Sequence, residues 1–333
     1  MEEVKVAVIG LGTVAQLIHL PILRKMQKVR ISAVCETNKN RLKTVSERFD
    51  VTERFTDFNQ LMESSAYDAV IISTPTSTHK EIALKAIDNG KPVFIEKPVS
   101  RSFAESKAIA DYSKEKNVPV MVGMNLRFRP DLQLLKSIIK TKQLNDIFYL
   151  RSAWYRPQSS DSQWFRKREE SGGGVIFDLG IVMLDMVLWL LDFPEIDSVT
   201  TKNYYHNTRN VEDSSISYIR CNCGTTIVTE SSWSMRSEKN TFNLELFAKD
   251  GSATLNPLRV FKKNRGIDEE LSLQKFENST ALFTKSYHNE MKSFIDAVRG
   301  INTYYSPVSE APERMKIIEA MYKSAESGKE IRF

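Results

Sequence analysis

The chain has 333 residues, room for two domains of the usual size of about 150 residues. Hydrophobic residues at 41% and charged residues at 27% exclude a disordered polar chain, and the formal charge of +5 is spread without a basic block, so a nucleic-acid partner is not expected. The longest apolar run, 175–193, is broken by Asp178, Asp185 and Asp192, so no membrane span is expected either.

Val4 to Ile9 is apolar apart from Lys5 and reads as a buried strand. Gly10-Leu11-Gly12-Thr13-Val14-Ala15 follows, and then an apolar-faced helix from Gln16 to Met26. Strand, glycine turn and helix form the context in which a G-x-G-x-x-(G/A) string carries meaning. Gly10 permits a tight turn, Gly12 admits a pyrophosphate to the backbone, and Ala15 stands in for the third glycine. The free N–H groups at the helix start, around Thr13 and Val14, would face the phosphates. A second strand, Arg30 to Cys35, ends at Glu36, whose carboxylate is placed for the hydroxyls of an adenosine ribose. Together these residues indicate a dinucleotide cofactor. Glu36 favours NAD, because it would repel the 2′-phosphate of NADP; Lys39 and Arg41 soften that repulsion and keep NADP open.

Helices are expected at Asn40–Phe49 and Asp57–Ser64, then a continuous apolar strand at Tyr67–Ser73. That strand delivers Thr74-Pro75-Thr76-Ser77-Thr78-His79, a polar loop at a strand's carboxyl end, where open α/β sheets bind ligands. A helix from Lys80 to Asn89 stops at Gly90, a short strand Val93–Ile95 leads into Glu96-Lys97-Pro98, and Ser102–Lys116 and Val118–Gly123 read as helix and strand. Such alternation predicts a doubly wound Rossmann sheet over 1–124. Beyond it the pattern changes. A helix at Asp131–Thr141 precedes a half-exposed strand at Ile147–Tyr155, and Gly172-Gly173-Gly174 opens a long apolar helix to Leu191. Strands follow at Ser214–Cys221, Thr225–Trp233, Thr241–Ala248 and Ala253–Leu255, then helices at His288–Val298 and Glu310–Ser327, and Glu330–Phe333 supplies a closing strand. The expected class is α/β: a Rossmann domain plus, over 125–333, an α/β domain with a large, mostly antiparallel open sheet, its last helix packing back on the first domain.

Cys35, Cys221 and Cys223 are too few for a disulfide framework, and Cys221-x-Cys223 lacks the second pair of a zinc site, so no metal is expected. Strand thiols of this kind, and a first strand that begins within a few residues of Met1, suit a cytoplasmic protein without a signal peptide.

Taken in order, GLGTVA, the Thr74-Pro75 loop with His79, Glu96-Lys97-Pro98, Asn125-x-Arg127-x-x-Pro130, the Gly172–Gly174 run with Asp178, and the closing SAESGKEI resemble the glucose–fructose oxidoreductase and inositol dehydrogenase family. The resemblance runs from about Lys5 to the C-terminus. It implies an NAD(P)-dependent oxidoreductase in which the nicotinamide and a sugar-like substrate meet in a cleft between the domains, with a cis Lys97-Pro98 peptide; His79 matches a family position near the cofactor but could equally cap a loop, and Glu96 is read as contacting the cofactor or fixing the loop. Lys97 then becomes the main catalytic candidate, an amine beside the carbon oxidised or reduced, against the alternative of a surface lysine in a turn. Family dehydrogenases carry Asp-x-x-x-His on the helix after the glycine run. Here Asp178 is present, but the position one helical turn on is Val182, which cannot move a proton. Tyr155 or Tyr287 is a candidate to supply a hydroxyl. Asn125, Arg127, Trp164 and Arg166 are candidates for substrate contact, the arginines alternatively being ordinary salt-bridge residues. Asp185 is read as solvated or paired, and His19 as structural.

The function expected from these residues is hydride transfer between a nicotinamide cofactor and a sugar, sugar derivative or cyclitol. Val182 keeps open a cofactor-binding protein without dehydrogenase activity, and the resemblance keeps open an NAD-assisted lyase or glycosidase. Alternating apolar residues in Thr225–Trp233 and Phe242–Phe247 are read as the uncovered face of the second sheet, through which a homodimer or homotetramer would form, with their burial inside the monomer as the alternative.

Overall fold

Val4–Ile9 forms β1 with every residue but Lys5 buried, as a central parallel strand requires. The computed structural model describes residues 2–64, 67–157, 166–234, 240–264, 267–272 and 275–333. The chain divides into two units, residues 1–124 with 287–315, and residues 125–286 with 316–333.

In the first unit β1 lies between β2 (Val29–Cys35) and β4 (Ala69–Ile72), with β3 (Glu53–Phe55), β5 (Val93–Glu96) and β6 (Val120–Gly123) completing a six-stranded parallel sheet of order β3-β2-β1-β4-β5-β6. This is the doubly wound Rossmann order, whose direction of winding reverses between β1 and β4. The first helix opens as a π-turn, Ala15–His19, and continues as α1 (Leu20–Lys25); α2 (Lys39–Arg48), α3 (Phe58–Glu63), α4 (His79–Asp88) and α5 (Phe103–Lys116) follow the other strands. Asn38, Asp57 and Ser102 cap α2, α3 and α5 through their side-chain oxygens, satisfying N–H groups that a helix start leaves unpaired. Gly90 ends α4's turn at φ +65°, the C-cap expected of it. The three-residue β3, largely exposed, was not foreseen.

The second unit begins with α6 (Pro130–Lys140) and β7 (Ile147–Tyr155) and contains a nine-stranded sheet. After α7 (Arg168–Ser171) and α8 (Ile181–Leu190) come β8 (Ile196–Tyr204), β9 (Ser214–Cys221), β10 (Thr226–Ser232), β11 (Thr241–Ala248), β12 (Gly251–Leu255), β13 (Arg259–Asn264) and β14 (Ile267–Glu270). The long helices α9 (Ser279–Val298) and α10 (Ala311–Ser327) precede β15 (Ile331–Arg332), which pairs with β8. The order is β14-β13-β12-β11-β7-β10-β9-β8-β15, with β7 and β10 parallel and the other neighbours antiparallel.

The pleat sorts this sheet into two faces. Leu150, Ile227, Ile219 and Leu246 lie in register on the face covered by α8, all of whose residues are buried. Tyr149, Arg151, Val228, Glu230, Tyr218 and Phe247 lie on the other face. The expectation for Thr225–Trp233 and Phe242–Phe247 is corrected in part: Ile227, Leu244 and Leu246 point to the core, leaving Val228 and Phe247 on the open face. The run 168–190 is long and apolar enough to cross a membrane, yet its most apolar stretch is wholly buried, as a core helix is.

Its start explains the triple glycine. Gly172 adopts φ +89°, a Cβ on Gly173 would meet the Tyr322 hydroxyl at 1.9 Å, and one on Gly174 would meet the Glu212 carbonyl oxygen at 2.0 Å. The Glu212 side chain ties these elements together. Glu212 Oε1 accepts the Gly174 N–H at 3.0 Å, the Ile176 N–H at 2.9 Å and the Tyr322 hydroxyl at 2.7 Å. Burial pushes the Glu212 carboxyl above the usual carboxylate range, opposed by these donors. Glu212→Leu would leave three buried donors without an acceptor, at about 1–3 kcal/mol each before relaxation. Urea denaturation is expected to show a loss of at least about 3 kcal/mol, whereas Glu212→Gln, which keeps a carbonyl acceptor, should lose about 1 kcal/mol or less.

Candidate active site

Gly10, at φ +89°, follows β1 so closely beside β4 that an added Cβ would lie 2.5 Å from the Ser73 carbonyl oxygen and 2.8 Å from Thr74 Cγ2. A Cβ on Gly12, in contrast, would meet nothing within 4 Å, so the space before the helix start is open. Thr13 and Val14 are exposed there. Gln16 Nε2 donates to the Leu11 carbonyl at 2.7 Å and holds the turn from behind. Glu36 holds it from the side: its Oε2 accepts the Leu11 N–H at 3.1 Å and lies 3.2 Å from Arg41 Nη1, while Oε1 accepts the Asn38 N–H at 2.9 Å. An open cradle of backbone N–H groups beside a carboxylate at the end of β2 fits a dinucleotide.

The loops after β4 and β5 meet the same sheet edge. Thr78 Oγ1 donates to Thr74 Oγ1 at 2.8 Å, and Pro75 is exposed. His79, 1% exposed, lies with Nδ1 2.9 Å from the Pro98 carbonyl oxygen and Nε2 2.9 Å from that of Thr74, so it ties the two loops together. Burial pushes its imidazole below the ordinary range, and the carbonyls and the Glu96 charge pull it back up. His79 thus faces loop backbone rather than solvent. Glu96 accepts from the Lys97 N–H at 3.1 Å and lies 2.7 Å from His19 Nε2. Burial alone would raise its carboxyl; the hydrogen bond and charge of His19, with Lys97, hold it below the usual range. Lys97 is partly exposed, and the Lys97-Pro98 peptide is cis.

In the second unit Asp178 stands in a π-turn, Ile176–Gly180, that leads into α8. Only 4% exposed, its Oδ2 accepts the Trp233 indole N–H at 3.1 Å and lies 3.5 Å from Arg156 Nη1. Arg156 is stacked on Trp154, with its guanidinium carbon 4.8 Å from the ring centroid. Val182 is buried, so no proton-carrying side chain stands one turn beyond Asp178. Sequence reasoning missed Arg156 and Trp233; a single arginine after a strand and a tryptophan closing another carry no distinguishing pattern.

Two substrate-side candidates are corrected. Arg127 is fully buried in a two-pronged pair with Asp185, Nε to Oδ2 at 2.8 Å and Nη2 to Oδ1 at 2.6 Å, which is the salt-bridge alternative. Tyr155 donates its hydroxyl to Glu230 on the open face of the sheet, whereas the turn carrying Asp178 packs on the covered face, where a Cβ on Gly180 would lie 3.4 Å from Ser231 Oγ. Asn125 is buried and donates to Ser286 Oγ at 3.0 Å. Arg166 is exposed just before α7, Tyr287 is half-buried on α9, and Trp164 lies outside the described residues.

D-glucoside 3-dehydrogenase of Escherichia coli (strain K12) is 24% identical over 342 residues, 97% of this chain and 96% of the relative. The scyllo-inositol 2-dehydrogenase (NAD(+)) of Bacillus subtilis (strain 168) is 28% identical over 306 residues, 90% of this chain and 88% of the relative. A levoglucosan dehydrogenase solved with NADH and levoglucosan shares the fold at a TM-score of 0.87 and 20% identity, over 99% of each chain. Residues 4–124 match the NAD-binding Rossmann fold, and residues 136–333 the C-terminal α/β domain, of one oxidoreductase family: the chain belongs to the GFO/IDH/MocA family.

Proposed function

We propose that this chain moves a hydride between NAD and a carbon of a sugar, sugar derivative or cyclitol, with Lys97 as the main catalytic residue. The supporting observation is the gathering, at one edge of the parallel sheet, of an open glycine cradle, the Glu36 carboxylate and the Lys97 turn. The names of relatives, a glucoside dehydrogenase and an inositol dehydrogenase, support the substrate class.

The nicotinamide, when bound, supplies the hydride chemistry. The chain's own part is to hold the phosphates at Gly10–Val14, to present Glu36 to the ribose, and to place an amine at the reacting oxygen. Lys97 would hydrogen-bond the hydroxyl being oxidised or the carbonyl being reduced and exchange its proton. Asp178, steadied by Trp233 and Arg156, would orient substrate hydroxyls. Val182 favours a second reading, cofactor binding without dehydrogenation, because the family's histidine is replaced by a buried side chain. The cytoplasm is the proposed setting. An assembly through the open sheet face is proposed as well, where the Tyr149 and Phe247 rings stack 5.8 Å apart and Tyr218 is 47% exposed; light scattering should then give a dimer or tetramer mass, and a monomer mass at micromolar concentration would reject it.

A panel of D-glucosides, levoglucosan, inositols, free sugars and their phosphates, followed by the absorbance of reduced nicotinamide, separates the classes. Net NADH change marks a dehydrogenase, bond cleavage at constant NAD marks a lyase or glycosidase, and binding without turnover marks the second reading. Lys97→Met is expected to lower turnover by about 10²–10⁴-fold with NAD affinity nearly unchanged; full turnover in that variant would remove the catalytic assignment. Calorimetry should show NAD bound more tightly than NADP. Arg41→Ala should widen that preference and Glu36→Ala should leave NADP binding unharmed, since Glu36 is the group that repels a 2′-phosphate and Arg41 partly neutralises it.

A further inference from the structure

Glu96 ends β5 in a buried position and uses both carboxylate oxygens, Oε1 toward His19 Nε2 at 2.7 Å and Oε2 toward the Lys97 N–H at 3.1 Å. A carboxylate only accepts, so His19 Nε2 carries a proton and donates it. His19 is 1% exposed, and its other nitrogen, Nδ1, has no hydrogen-bond partner. Neighbouring elements pack round the pair: the Phe94 ring meets the His19 ring edge-on at 5.5 Å, and Gly123 on β6 leaves that ring room, since a Cβ there would lie 3.0 Å from Phe94 Cζ. The charged and titratable groups facing Glu96 are His19 from the first helix, Lys97 from the turn and His79 from α4.

We infer that His19 is a positioning residue: it holds the Glu96 carboxylate in one orientation and, through the Lys97 N–H, sets the direction in which Lys97 leaves β5. The inference rests on the role proposed for Lys97. Two readouts test it on the full chain. With ¹⁵N-lysine label, the Lys97 amide should titrate with Glu96, acid of the usual carboxylate range. In His19→Phe, which keeps a ring against Phe94 but loses the donor, burial is opposed chiefly by Lys97 and its N–H, and the midpoint should rise by about one pH unit or more. His19→Gln, with a side-chain N–H, should restore most of the shift. An unmoved midpoint in folded His19→Phe overturns the proposal; should that variant not fold, a His19→Gln protein whose Lys97 amide does not titrate acid of the usual range overturns it.

The second readout is turnover on the best compound of the panel. His19→Phe should lower kcat at least about tenfold with the KM for NAD unchanged, and should cost nothing further in a Lys97→Met background, because the effect passes through Lys97. Losses that add in the double variant overturn the positioning role and leave Lys97's role intact. Lys97→Met at full turnover overturns both. Where no compound turns over, the amide titration alone decides.

Discussion

The closeness of Gly10 to the Ser73 carbonyl is the constraint on which the first unit's site depends. Parallel strands end at one sheet edge, and the edge between β1 and β4 is where the winding reverses, so the loops there are free to part or to close up. Gly10 lets them close up, because any side chain would collide with backbone at 2.5 Å. With the turn so placed, the residue after it reaches Glu36 from β2, and the loop after β4 reaches, through His79, the turn after β5. The cofactor cradle and the Lys97 turn are therefore parts of one hydrogen-bonded edge.

The second unit is organised by buried charge. Arg127 with Asp185, and Arg129 with Asp131 and Asn256, place two guanidinium groups at 0% exposure with their carboxylates beside them. Such pairs contribute little net stability over apolar packing, but breaking one leaves a charge stranded in a dry interior, which is far more costly. Their effect is to fix geometry. The segment from Asn125 to Asp131 is locked to α8 at Asp185 and to the strand ends at Asn256, and Arg127 also lies 5.3 Å over the Phe193 ring. Glu212 does the same for the entry to the helix that carries Asp178.

What was legible in the sequence follows from how local each feature is. The first strand, the glycine turn and Glu36 are local in pattern, and so are the cap at Gly90 and β7, whose limits at Ile147 and Tyr155 coincide with the expected ones. Short polar strands such as β3 and β13 offer no period to detect and form because a neighbour needs a partner. The start of α9 at Ser279 was hidden for a related reason: its first turns are rich in Ser and Thr and gain their helix from packing, with Leu282 buried and Phe283 against Trp154. In the candidate site, position at a strand end marked Glu36 and Lys97. Tyr155 was misplaced because alternation says that it faces away from Leu150, but not which face carries Asp178. Arg156 and Trp233 meet Asp178 across 22 and 55 residues of sequence, a proximity that only the folded sheet creates.

The return of residues 287–315 to the first unit bears on how the chain folds as it is made. Strand β6 is completed by backbone that comes much later: the Val122 N–H donates to the Ser306 carbonyl at 2.9 Å, Ser306 Oγ donates to the Val122 carbonyl, and Met121 pairs with Pro307. Phe94 in the core of the sheet packs edge-on against Phe294. During synthesis the Rossmann sheet can form all six strands once Gly123 has emerged, yet its last edge and part of its core stay open until residues 294–307 have been made. The first unit to start folding is thus among the last to finish, and a sheet edge held open for that time is the surface a chaperone would have to shield.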